Sequence, residues 1–229
     1  MTSPHFGSMK GRRLGMWIQL KSIKRILENG KEVDRHPGDW VNVGKQQALL
    51  WISQGDAILP NKSAYAEFGI SEGSGILVIG DENKGRKTLE TIKTEVEIIY
   101  GTYNLPFKYN VIWNTDLPLM VEKVCIGLML IQIWDMAVPL FDYNTLAEAV
   151  GSDLERNKTK DIIRDLRVPL YDTRLMFIKT TRETQYLIES WTEEMRNGAD
   201  EKLSFLRNLY KIKPLILALP ISWTNSNVR

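Results

Sequence analysis

Cysteine and histidine are almost missing from this 229-residue chain: one cysteine, Cys125, stands beside two histidines, His5 and His36. One thiol closes no internal disulfide, so the fold rests on a non-covalent core and suits a reducing compartment. Cys125 lies in an apolar run and is expected to be a small core residue, not a nucleophile. His5 in an N-terminal arm and His36 in a turn supply neither a metal cluster nor a His-based triad, which weighs against hydrolase chemistry. Long apolar runs are missing too. The longest, Val124–Ile131, is far short of the roughly 20 residues that span a bilayer, so it reads as core. Met1–Gly15 has no apolar h-region, and no secretory leader is expected there. Charge of one sign is also lacking: 30 Lys and Arg balance 28 Asp and Glu, leaving no field that argues for nucleic acid.

What remains is ordinary for a globular protein, 43% hydrophobic and 25% charged, in a length that holds one medium domain or two small ones. The pattern reads as a basic arm at 1–13, a small β-rich module at 14–60, a linker at 61–75 and an α/β domain at 76–229. Lys10, Arg12 and Arg13 make the arm either a solvated tail or a segment that docks on an acidic surface or on phosphate. Contact with nucleic acid is expected through that arm alone.

In the module, Met16–Leu20 and Ser22–Glu28 alternate as strands, Asn29-Gly30 supplies a hairpin turn, and Lys31–Arg35 returns. Pro37-Gly38-Asp39 turns the chain into the strand Trp40–Val43. Lys45–Gln54 has helical spacing ended by Gly55, and Ala57–Leu59 closes the module. The run His36-Pro37-Gly38-Asp39-Trp40-Val41-Asn42-Val43, with Lys45, Gln46, Ala48, Trp51 and Gly55-Asp56-Ala57, resembles small modules of tailed, Mu-like phages. That resemblance implies a phage genome and a virion role; it implies no chemistry.

In the larger domain, Ile76–Ile79 reads as a buried strand, Arg86–Tyr100 as a helix with Leu89, Ile92, Val96 and Ile99 on one face, and Val111–Trp113 as the next strand, a βαβ unit. Pro118–Trp134 is helical at its start, with Leu130–Trp134 readable as helix or strand. Asp153–Leu166 is a charged helix and Leu175–Ile178 a strand. Thr180-Thr181-Arg182-Glu183 is a capping box before the stripe Leu187, Ile188, Trp191 and Met195. A helix from Asp200 and a strand at Pro214–Leu219 follow. The expected fold is α/β, a mostly parallel sheet with helices on both faces.

Tyr171-Asp172-Thr173-Arg174-Leu175-Met176-Phe177, then Thr184, Leu187, Ile188 and Trp191, with the later Leu219-Pro220 and Trp223, resembles the C-terminal half of glycosyltransferases of the nucleotide-sugar-binding A-type fold. The family's Asp-x-Asp at a strand end chelates Mn²⁺ or Mg²⁺ against the diphosphate leaving group. No Asp-x-Asp occurs here, and Asp135-Met136-Ala137 is the nearest positional match. The resemblance implies that, in an enzyme, Asp135 would hold the metal, with Asp116 or Asp142 as helpers; a turn-capping role for Asp135 is the competing reading. A nucleotide-sugar would meet Asp81, at the end of the first strand of the α/β domain, and the guanidinium groups of Arg164, Arg167 and Arg174, which pair bidentately with phosphate. Capping by Asp81 and surface ion pairing by the arginines compete with that.

Two functions follow. One is a phage-encoded structural or interaction protein on a glycosyltransferase-like scaffold, without catalysis or cofactor, joining other subunits as a homo-oligomer or phage assembly in virion or host cytoplasm. Trp17, Trp40, Tyr210 and Trp223 would be its interface candidates. The other is an active glycosyltransferase using Mn or Mg and a nucleotide-sugar.

Overall fold

The computed structural model describes residues 15–28, 30–59, 72–91, 97–101, 103–149 and 151–224. The basic arm with His5, Asn29, residues 61–71 of the expected linker, and Ile92 and Val96 of the expected helix lie outside them. Contacts divide the chain into two units, Met1–Pro60 and Asn61–Arg229.

In the first unit, inward Met16, Ile18 and Leu20 alternate with outward Trp17 and Gln19, which makes β1 (Met16–Leu20) a half-buried strand. β2 (Lys24–Glu28) and β3 (Lys31–Arg35) form a hairpin. Gly30 takes φ 79° at its turn, left-handed geometry that glycine adopts without steric cost. β4 (Trp40–Val43) pairs antiparallel with one edge of β1, and β5 (Ala57–Ile58) with the other. Between β4 and β5, α1 (Lys45–Ser53) buries Ala48, Leu49, Trp51 and Ile52.

The second unit opens with β6 (Ser74–Ile79), apolar and buried, followed by α2 (Glu82–Thr91). The helix expected over Arg86–Tyr100 does not reach its end. Residues Glu97–Tyr100 form β7, paired parallel with β6, because a β-branched run beside an open sheet edge gains a ladder that outweighs helical spacing. β8 (Tyr109–Asn114) pairs parallel with the other edge of β6. α3 (Val121–Leu130) is helical, and the alternative strand at Leu130–Trp134 does not form: Ile133 and Trp134 turn back to donate to the Leu130 carbonyl.

β9 (Met136–Thr145), α4 (Asp153–Ile163), β10 (Pro169–Tyr171), β11 (Leu175–Lys179), α5 (Arg182–Arg196), α6 (Glu201–Ile212) and β12 (Ile216–Leu219) complete the unit. The sheet runs β10-β9-β11-β8-β6-β7, with β12 beside β9. The unit is α/β, but its sheet is mixed. β6–β7, β6–β8 and β9–β12 are parallel, whereas β8–β11, β9–β11 and β9–β10 are antiparallel. Every antiparallel pair involves β10 or β11, which three residues join in one direction: both run against β9, and β11, inserted between β8 and β9, runs against β8 as well.

Alternation along β11 distributes the core. Met176 and Ile178 join Leu187, Ile188 and Trp191 of α5 and Leu203, Phe205 and Leu206 of α6. Phe177 points the other way, under Gly127 of α3 and against Trp223 at 5.5 Å. Helices therefore cover both faces. Trp223, an interface candidate by sequence, is buried here, while Trp17, Trp40 and Tyr210 are exposed.

Candidate functional site

A parallel strand pair whose chain connections depart in opposite directions leaves a crevice at the strands' carboxyl ends. That place lies between β6 and β8, since the chain leaves β6 for β7 on one side and returns to β8 on the other. Gly80 ends β6 at φ 105°, and a Cβ there would lie 2.6 Å from Thr115 Oγ1. The Thr115 hydroxyl accepts the Asp81 N–H at 2.9 Å, tying the two strand ends together. Asp81 Oδ1 accepts the N–H groups of Asn83 (2.9 Å) and Lys84 (3.1 Å), a helix cap for α2. Asn114 Oδ1 accepts the Asp116 N–H at 2.9 Å. The Asp116 carboxylate is exposed, with Lys84 Nζ 3.9 Å away.

The turn Asp172-Thr173-Arg174 reaches the same rim, because the Asn114 N–H donates to the Arg174 carbonyl at 2.8 Å. Asp172 is buried and grips Arg174 side-on, Nε to Oδ1 at 2.9 Å and Nη2 to Oδ2 at 2.7 Å. The hydrogen bond to Asp172 lifts the Arg174 pKa above its ordinary value against the opposing pull of burial; the charges of Asp172, Asp116 and Glu201 add to the rise. Glu201, at the start of α6, accepts hydrogen bonds from Thr173 and, at 3.5 Å, from the Tyr103 hydroxyl. Burial first, then the Glu201 charge, pushes the Tyr103 phenol well above its usual range, so it stays a neutral donor. Arg174 is thus a cation aimed by a buried carboxylate in a turn that is itself anchored to α6.

Of the residues singled out by sequence, Asp81, Asp116 and Arg174 lie at this rim. Arg167 does not: it pairs with Asp165 (3.1 Å) at the far end of β10 from Arg174, and both partners are exposed. Arg164 sits beside it as the left-handed C-cap of α4, φ 55°. Asp135 precedes β9 at the amino end of the parallel strands. Register places its neighbour Met136 level with Ile178, hence with Asn110 at the start of β8. Its carboxylate accepts the Leu215 N–H at 2.9 Å and fixes the entry to β12. By sequence, Asn114 and Lys84 had no role and Asp172 figured only within the Tyr171–Phe177 run, although Asn114-Thr115-Asp116 directly follows the buried strand Val111–Trp113.

The rim's donor set does not fit a resident divalent metal. Asp116 is a single exposed carboxylate, and Asn114 Oδ1 and Asp81 Oδ1 are already engaged by backbone N–H groups. Among the described residues no cluster of three or more His, Cys, Asp or Glu is arranged for a metal ion. A cavity of about 690 Å³ opens elsewhere, beside α5, lined by Tyr103, Leu105, Gln185 and Ile188. Its cation, Arg196, is paired with Glu193 at 3.2 Å.

Fold and site together define an open, mixed α/β unit with a cation-bearing rim at its switch point. The chain matches no protein-family model, no curated protein and no solved structure. Among the described residues no helix is long and apolar enough to cross a membrane.

Proposed function

We propose that the second unit binds the diphosphate of a nucleotide or nucleotide-sugar at the β6/β8 rim, on a glycosyltransferase-like scaffold that has kept binding and lost metal-assisted transfer. The chain then serves as a phage-encoded interaction protein. The observation that carries this reading is the pairing of Arg174, aimed by buried Asp172, with Lys84 across Asp116. Asp172 takes one hydrogen each from Arg174 Nε and Nη2 and leaves the Nη1/Nη2 end for two phosphate oxygens, the bidentate geometry in which guanidinium recognises phosphate. Two cations, each shared with a carboxylate, offset part of the charge of a bound diphosphate, but without a divalent ion they do little to expel it.

Calorimetry with UDP, GDP, CDP and dTDP, with and without Mn²⁺, tests the reading. Binding by one of them is expected, independent of Mn²⁺ and lost in Arg174→Ala and Lys84→Ala. No binding at millimolar ligand would sink it. An active glycosyltransferase is the second reading, supported by Asn114-Thr115-Asp116, which keeps the spacing of the family's strand-end pair and one of its carboxylates. Mn²⁺-dependent release of UDP from a UDP-sugar would establish that reading instead. The phage assembly role is supported by the His36–Val43 run and is tested by co-sedimentation with assembled particles.

A further inference from the structure

Five of the seven tryptophans are buried: Trp51, Trp113, Trp134, Trp191 and Trp223. Two have their indole N–H satisfied inside, Trp113 on the Leu117 carbonyl at 3.0 Å and Trp191 on the Glu201 carbonyl at 2.9 Å. Trp17 and Trp40 break the pattern, at 42% and 47% exposure on one small sheet. Trp17 stands opposite Asn42, and Trp40 opposite Gln19, in the β1–β4 register. All four side chains leave the same outward face, and Trp17 and Trp40 occupy diagonal positions whose backbones lie about 7–8 Å apart. Among the described residues neither indole stacks on another aromatic ring or has its N–H bonded.

The polar half of the face is made of amides. Gln19 Nε2 donates to the Gly38 carbonyl at 3.2 Å, which fixes the group and leaves its oxygen open. Asn42 lies across Gly15, where an added Cβ would come within 1.7 Å of its Oδ1, so the glycine makes room for the carboxamide. Ile58 of β5, opposite Gln19, completes the paired positions, none of which carries a charge.

We propose that this outward β4-β1-β5 face binds carbohydrate, as a platform for a neutral oligosaccharide. Indole faces pack on the apolar C–H face of a sugar ring, while indole N–H groups and carboxamides serve its hydroxyls. An uncharged face offers nothing to a phosphate or an acidic peptide. Size argues against a protein partner: three strands about 4.8 Å apart, the longest of five residues, give a flat area on the order of 200 Å². A stable protein interface needs about 800 Å² per partner. The platform lies in the first unit and does not depend on diphosphate binding in the second.

The test titrates the full chain with maltohexaose, cellohexaose and N-acetylchitohexaose while tryptophan emission is followed. At least one should shift the emission saturably, with affinity reduced tenfold or more in Trp17→Ala and in Trp40→Ala. Trp17→Phe and Trp40→Phe, which keep a ring on a sheet of unchanged fold, should retain part of it, and Arg174→Ala should bind the glycan like wild type. Three results overturn the proposal: no emission change with any of the three at millimolar concentration; binding that Trp17→Ala and Trp40→Ala leave unchanged; or self-association by sedimentation that these two variants abolish, which would give the face to a second copy of the chain.

Discussion

Replacing Arg207 by methionine removes the buried cation that joins α4, α5 and α6. Its guanidinium reaches Glu194 Oε2 from Nε (3.0 Å) and Nη2 (2.5 Å), Thr159 Oγ1 at 2.9 Å and Glu155 Oε2 at 2.9 Å. Glu155 Oε2 is buried and has no well-formed hydrogen bond, so the Arg207 charge is what compensates it. Taking one partner from a buried ion network costs about 3–5 kcal/mol. The lower end applies, because Lys158 (3.1 Å) still serves Glu155, and Asn208 (3.0 Å) and Lys211 (3.4 Å) still serve Glu194. About 3 kcal/mol corresponds to more than a hundredfold in the unfolding constant. With two units in the chain, one melting curve is ambiguous, so the readout is hydrogen exchange of the α6 amides in mild urea. Replacing Glu155 and Glu194 by methionine as well should bring protection back to within about 1 kcal/mol of wild type, since an apolar cluster substitutes well for a buried ion triad. A loss below about 1 kcal/mol in Arg207→Met, or a triple variant weaker than the single one, would refute the reasoning.

Four further outcomes are expected. Burial pushes the Glu155 and Glu194 carboxyls up, but hydrogen bonds and charge from Lys158 and Arg207 at Glu155, and from Arg207, Lys211 and Asn208 at Glu194, hold both below the ordinary 4.5. A depressed folded pKa adds stability that is complete above the unfolded value and lost as pH falls through the folded one. Urea midpoints for the second unit should therefore be flat near neutrality and decline below about pH 4.5, less steeply in Arg207→Met. Gly127→Ala should lose about 1–3 kcal/mol in thermal unfolding, because its Cβ would sit 2.1 Å from the Phe177 ring. Asp81→Ala should cost about 1 kcal/mol by removing the cap of α2. Asp172→Asn should weaken nucleoside diphosphate binding as much as Arg174→Ala in calorimetry, although Asp172 is buried and only aims the guanidinium.

Local chemistry was legible wherever one residue settles the backbone. Gly30 and Gly55 mark turns at φ 79° and 80°, Thr181 caps α5, and Asp200 caps α6 with bonds of 3.0 and 2.9 Å. The box lies one residue later than the motif suggested, Thr181 with Thr184 in place of Thr180 with Glu183. What failed were features that only tertiary contact decides. β9 was invisible because Pro139 cannot donate to a ladder and argues against a central strand. It is tolerated where β9 exchanges partners: β11 pairs with Ala137 and Met136, and β10 takes over from Leu140. The same hidden strand put Asp135 at the wrong end of the sheet. Without β9, Leu130–Trp134 reads as a possible strand that Asp135 follows, when Asp135 in fact immediately precedes one. Asp116 was in view only as a helper, since nothing local reveals that β8 ends beside β6 and the Asp172–Arg174 turn.

Hydrogen exchange of the whole chain at saturating UDP, or whichever nucleoside diphosphate binds best, tests the rim most directly. Slowed exchange is expected at 80–86, 113–117 and 172–174, three segments distant in sequence and adjacent at the ends of β6 and β8. Slowing confined to the groove beside α5, or uniform exchange despite measured binding, would contradict a diphosphate held between Lys84 and Arg174.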